Sequence, residues 1–186
     1  MGNYTSYNDS ELIEKAKCGE DAAFEELVGR YEQQVANTVK GMLGDNAAAE
    51  DVGQETFIRF YRSLEKFRGD SALGTYITRI AINLSLNEIK KQKKVISLFH
   101  RKNVDDVKEI DLPDQRNRES ESESKDLVDK ALQNLKPEFR MVVVLRMLQG
   151  YSTKEAASIL NVPIGTVLSR LARAQKNLRR ILKPFI

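Results

Sequence analysis

Apolar residues recur every three or four positions along most of this 186-residue chain, a period that fits α-helices and does not fit strands. After Gly19, Asp21 can cap a helix whose inward positions are Phe24, Leu27, Val28, Tyr31, Val35, Val39 and Met42, with Gly44 closing it. A second stripe follows Asp45 and Asn46: Ala49, Val52, Thr56, Phe57, Phe60, Tyr61 and Leu64. The segment FRGDSALGT interrupts, and Thr75 can cap a third helix carrying Ile77, Ile80, Ala81 and Leu84 before the basic run IKKQKK. With a short leading helix around Leu12, Ile13 and Ala16, these stripes make one helical unit over residues 9–94.

From Val95 to Ser124 the period fails. This stretch mixes charges, ends in alternating Glu and Ser, and holds few large apolar residues beyond ISLF at 96–99, so burial cannot offset its ordering entropy. It reads as a flexible linker over 95–124. Periodicity resumes with Leu127, Val128, Ala131, Leu132 and Leu135, and Pro137 then opens PEFRMVVVLRML, which Gly150 ends. Ser152 and Glu155 have capping-box spacing, with Ala156, Ala157, Ile159 and Leu160 inward. At NVP, Asn161 tolerates a left-handed turn and Pro163 suits the start of the next helix. The expected fold is all-α: two small helical domains joined by a flexible linker, the C-terminal one (125–186) a helix-turn-helix.

Charge is divided along the chain. Residues 1–55 carry 4 Lys/Arg against 12 Asp/Glu, a net of −8; residues 56–186 carry 26 against 15, a net of +11. Such a division suits a protein that meets a polyanion at one surface and a basic protein at another. A lone cysteine, Cys18, and a lone histidine, His100, leave no intramolecular disulfide and argue against a zinc site. There is no apolar run of membrane-spanning length and no signal-peptide layout in the first twenty residues, so no membrane insertion and a cytoplasmic location are expected. No metal, cofactor or small-molecule substrate is called for. No acid cluster or nucleophile with a base marks an enzyme.

Three stretches carry chemistry. On the last helix Val167, Leu171, Ala174, Leu178 and Ile181 form the inward stripe, leaving Thr166, Ser169, Arg170, Arg173, Lys176 and Arg180 largely off it. From Asn161 to Ile186 there are six Lys/Arg and no Asp/Glu, a self-repulsion that bound DNA relieves. Arginine reads guanine edges or grips phosphates, and short hydroxyl side chains near the helix N-terminus reach bases. In EDVGQE, Asp51 and Glu55 share a helix face with Gln54 beside them, and that face reads as acidic and unpaired; a solvated surface, a protein-docking face and a two-carboxylate metal site all remain open there. In FRGDSALGT two glycines flank short polar residues, which lets backbone approach a ligand or simply makes an interhelical turn. The helix beyond it offers Asn83, Asn87, Lys90 and Lys91 off its apolar face, amides for base edges and lysines for phosphates.

The segments AEDVGQETFIRFYRSLEKFRGDSALGTYITRIAINLSLNEIKKQKK and LKPEFRMVVVLRMLQGYSTKEAASILNVPIGTVLSRLARAQKNL, in that order with a linker between, resemble the two conserved domains of bacterial sigma factors of the extracytoplasmic-function (ECF) group. The resemblance implies a dissociable subunit that brings core RNA polymerase to a promoter. It implies that Asp51, Gln54, Glu55 and Phe57 dock on the polymerase clamp. Phe67, Arg68, Asp70 and Ser71 would take a base flipped from the −10 element, with Asn83, Asn87, Lys90 and Lys91 beside them. Thr166, Ser169, Arg170, Arg173 and Lys176 would read the −35 element. The implied partners are the polymerase clamp and flap, promoter DNA and an anti-sigma factor. Where many members carry Trp this chain has Tyr76, and Leu73 stands for a frequent Phe. From the residues alone, an autonomous helix-turn-helix regulator is the alternative.

Overall fold

The computed structural model describes residues 4–69, 71–100 and 121–185; most of the expected linker, and Asp70 of the glycine-flanked loop, lie outside them. The described residues form eight α-helices and no strand: α1 (Asp9–Lys17), α2 (Asp21–Leu43), α3 (Ala47–Ser63), α4 (Leu73–His100), α5 (Glu121–Gln133), α6 (Pro137–Val143), α7 (Thr153–Leu160) and α8 (Ile164–Leu182). ISLF falls in the last turn of α4, which continues beyond residue 94 to His100.

Local chemistry sets most of these limits. The Asn46 side chain accepts from the Ala49 N–H (3.1 Å) to start α3. Ser152 and Glu155 form the reciprocal capping box of α7, with Ser152 N–H donating to Glu155 (2.7 Å) and Glu155 N–H to the Ser152 hydroxyl (3.2 Å). Asn161 ends α7 at φ 51°, ψ 51°, and Pro163 leads into α8. Two expected caps are corrected. Glu20 rather than Asp21 precedes α2 and makes no side-chain cap, and α4 begins at Leu73, so Thr75 lies buried in its first turn.

The first four helices enclose Phe60, fully buried, with Phe24 (5.6 Å between centroids) and Tyr76 (6.4 Å) against it. Tyr76 also stacks obliquely on Phe67 at 5.0 Å and so supports the base of the loop that follows Phe67. Phe60→Ala is expected to cost about 3–5 kcal/mol in urea unfolding. Two inward assignments fail: Tyr61 is 49% exposed with its ring edge on Phe24, and Val128 is 44% exposed.

The periodicity did not predict that the two halves pack together. One buried cluster runs from Leu12 to Val167, across both. A Cβ on Gly41 of α2 would sit 2.9 Å from a Val144 methyl, so only glycine lets α2 lie this close to the C-terminal half. Val144–Leu148 is a π-helical turn that continues α6, a wider winding that shifts the register of the residues following it. Arg140 is 6% exposed and faces no carboxylate; it donates to the carbonyls of Met42, Gln133 and Leu135 and to the Gln133 side chain. Met42 and Gln133 lie at the C-terminal ends of α2 and α5, where the helix dipoles favour a cation. Burial alone pulls the Arg140 pKa down to about 10.

Candidate functional site

Helix α3 forms a ridge between two grooves. Toward α2, Gln54 and Phe57 line an apolar groove of about 410 Å³ with Val28, Val35, Val39 and Gly53. Toward α4, Asp51 and Glu55 face Asn87, Glu88 and Lys91 across a groove of about 310 Å³. The four residues assigned to polymerase docking therefore occupy both sides of one ridge, apolar on one flank and acidic on the other. Asp51 and Gln54 are exposed, Glu55 and Phe57 half-buried. The acidic face is only partly unpaired, because Arg59 donates from Nε to Glu55 at 2.8 Å. Both partners are largely solvated, and such a pair holds Glu55 weakly enough to exchange for another cation.

Helix α4 brings the acidic groove to a basic stripe. Asn83, Asn87 and Lys90 follow one another at helical spacing, all exposed, with Lys91 on the groove side. Lys91 reaches Glu88 at 3.5 Å; Lys90, Lys93 and Lys94 are also exposed. At the N-terminal end of α4, Gly69 takes φ +76°, the left-handed region that favours glycine, and turns the chain between exposed Arg68 and half-buried Ser71. Phe67 is held against Tyr76 at the base of this loop instead of projecting from it. The assignment of Asp70 falls outside the described residues.

Helix α8 keeps its expected division. Val167 and Ala174 are buried, and Leu171, Leu178 and Ile181 partly so. Ser169, Arg173 and Lys176 are exposed, with Thr166 and Arg170 half-buried at the edge. The Ser169 hydroxyl donates to the Thr166 carbonyl at 3.1 Å, which leaves its oxygen free to accept. Among the described residues no ion pair involves an α8 side chain, so these cations have no internal partner to give up when they meet a polyanion.

No helix among the described residues is long and apolar enough to cross a membrane, and no group of three or more His, Cys, Asp or Glu side chains among them gathers as metal ligands would. The residues joining the two halves, Gln34, Thr78, Tyr151 and Arg140, escaped the sequence reading. Only Arg140, a lone cation entering the apolar run MVVVL, carried a signal.

The chain matches the family models for region 2 of sigma-70 across residues 27–95 and region 4 of sigma-70 across residues 125–178. It is 34% identical over 186 residues to the ECF RNA polymerase sigma-E factor of Escherichia coli (strain K12), with 96% of each chain covered. It is 31% identical over 192 residues to the RNA polymerase sigma-H factor of Pseudomonas aeruginosa, with 98% of this chain and 97% of that one covered. Among solved structures, its fold is shared by CnrH in complex with the cytosolic domain of CnrY (TM-score 0.68, 24% identity, 95% of this chain and 97% of that one). It is also shared by the sigma factor RpoE in complex with the anti-sigma factor NepR from Bartonella quintana (TM-score 0.67, 23% identity, 86% and 96%). With a region 2 and a region 4 in this order and such identity along almost its whole length, the chain belongs to the ECF group of RNA polymerase sigma factors.

Proposed function

We propose that this sigma factor docks on the polymerase clamp through the α3 ridge, takes the melted −10 strand along the loop after Phe67 and the outer stripe of α4, and reads the −35 element with α8. The observation that carries this reading is the groove between α3 and α4, with Asp51 and Glu55 on one wall and Asn87 and Lys91 on the other. A protein-docking surface and a nucleic-acid surface meet there, as a subunit that presents single-stranded DNA to an enzyme requires. The chain supplies no chemistry of its own: it is a specificity subunit, not an enzyme, and works in the cytoplasm. Residues 9–94 form the −10 and clamp domain, and residues 125–186 the −35 domain, which also meets the polymerase flap. The solved complex of the sigma factor RpoE with the anti-sigma factor NepR favours an anti-sigma factor as a further partner.

Gel filtration with bacterial core polymerase tests the docking. Stoichiometric co-elution is expected; duplex DNA binding without any polymerase binding would instead make this an autonomous regulator. Lys90→Gln with Lys91→Gln is expected to weaken promoter binding by the holoenzyme similarly on all sequences. The same change should reduce the slope of log K against log salt by about 1.4–1.8, the value for two lost phosphate contacts. Titration at several salt concentrations checks it.

A further inference from the structure

Helix α8 carries a row of side chains that its buried stripe does not account for. Ile164, Leu168, Ala172, Lys176 and Arg180 recur every four residues, so they form one ridge that slants from the edge of the buried stripe onto the outer face. All five are exposed, Ile164 by 49% and Leu168 by 53%. The ridge is apolar over its first three members and cationic over its last two.

Beside it runs a second exposed row, Gly165, Ser169 and Arg173. Gly165 has no side chain and open space where one would stand, and Ser169 and Ala172 are small, so the middle of the outer face lets the helix backbone approach a surface closely. Leu168 stands on one flank of this low strip and Arg173 on the other.

A single exposed leucine is ordinary on a protein surface. Ile164 and Leu168 differ in being large, neighbours on one ridge, and placed in the first two turns of α8, the end of a recognition helix that meets base edges. In the major groove those edges present hydrogen-bond donors and acceptors, and the apolar group among them is the C5-methyl of thymine. Against a donor or acceptor, a leucine strips water and offers no hydrogen bond in return. Against a methyl group it buries apolar surface on both sides. The change along the ridge fits the same pose: the N-terminal half of α8 lies in the groove, and Lys176 and Arg180 rise toward the phosphates at its rim. No acidic residue of α8 opposes that approach.

We propose that Leu168, flanked by Ile164 and Ala172 on the same ridge, reads the thymine C5-methyl of an A·T pair in the −35 element. This rests on the −35 reading of α8 proposed above and adds a second kind of contact to it. Arg170 and Arg173 select by hydrogen bonding; Leu168 selects by apolar contact with a group that thymine alone among the four DNA bases carries.

The test uses holoenzyme made with the full-length chain and a promoter fragment recovered by run-off transcription, in which each thymine of the −35 element, on either strand, is replaced singly by uracil. Uracil keeps every hydrogen-bonding group and loses only the methyl. At one or more positions uracil is expected to weaken holoenzyme binding about fourfold, the worth of burying one methyl group. In Leu168→Ala those positions should bind thymine and uracil alike. Leu168→Met, which keeps an apolar side chain of similar volume, should retain the preference, and so should Arg173→Ala, which weakens binding without touching the apolar flank. Leu168 and Arg173 are exposed, so these changes open no cavity, and helicity by circular dichroism should be unchanged. Equal binding of thymine and uracil at every position by the unmutated protein overturns the proposal and leaves the sigma reading intact. A preference that survives in Leu168→Ala, or that is lost equally in Arg173→Ala, does the same. Weaker core polymerase binding by Leu168→Ala without any methyl preference gives the side chain to the polymerase and also overturns it. Absence of protein-dependent transcript starts overturns both readings.

Discussion

Asp51→Lys combined with Glu55→Lys is expected to weaken binding of core RNA polymerase by at least about a hundredfold, because two reversed charges against a basic partner cost about 3 kcal/mol or more. Asp51 is exposed and Glu55 half-exposed, so neither change opens a cavity, and the fold should survive. The loss of Glu55 places a lysine four residues from Arg59, a like-charge spacing that costs the isolated helix only about 0.2–0.5 kcal/mol. The neutral pair Asp51→Asn and Glu55→Gln should fall between the reversed and unmutated proteins. Cys18 is exposed and is the only cysteine, so a dye attached there reports polymerase binding by anisotropy. Unchanged affinity in the reversed variant would remove α3 from the docking surface.

The second large effect concerns α8. Arg170→Ala with Arg173→Ala should reduce promoter binding by the holoenzyme by about thirtyfold to twenty-thousandfold, if each arginine makes one bidentate base contact worth about 1–3 kcal/mol. Arg173 is exposed and Arg170 half-buried, and the buried stripe of Val167 and Ala174 is untouched, so helicity should be retained. Binding measured at several salt concentrations and on −35 variants divides the two possible roles. Base contacts relax specificity at particular positions; phosphate contacts weaken all sequences alike and flatten the salt slope. An effect below threefold on both would remove these arginines from the −35 interface.

Much of this architecture was legible because it is locally encoded. The Ser152–Glu155 box, Asn161 at positive φ and Pro137 at the head of α6 each act within a few residues of chain, and each forms as its spacing requires. The stripe on α8 was legible for the same reason, since Val167, Leu171, Ala174, Leu178 and Ile181 follow one period along a helix that holds no acidic residue. Thr75 was misread as a cap because its hydroxyl fits that role locally, whereas tertiary packing lets α4 begin at Leu73. The Glu55–Arg59 pair follows directly from its four-residue spacing.

What periodicity does not contain is the partner of each buried face. Val35, Val39 and Met42 announce that α2 is covered on one side, but not that Val144 and Arg140 of the distant half do part of the covering. Gly41 looks like a helix-weakening residue until the approach of Val144 is known. The π-helical turn at Val144–Leu148 and the hydroxyl cluster around Tyr151 are likewise products of that long-range packing. For the site, helix faces placed Asn83, Asn87 and Lys90 correctly on the outside, but the sharing of one groove by Asp51, Glu55, Asn87 and Lys91 depends on how α3 crosses α4.

The most direct test of the central claim is run-off transcription by bacterial core polymerase on a genomic fragment library, with and without this protein, followed by sequencing of the transcript starts. The account predicts protein-dependent starts that share elements near −10 and −35 and disappear with Asp51→Lys plus Glu55→Lys. No protein-dependent starts from folded protein would contradict it.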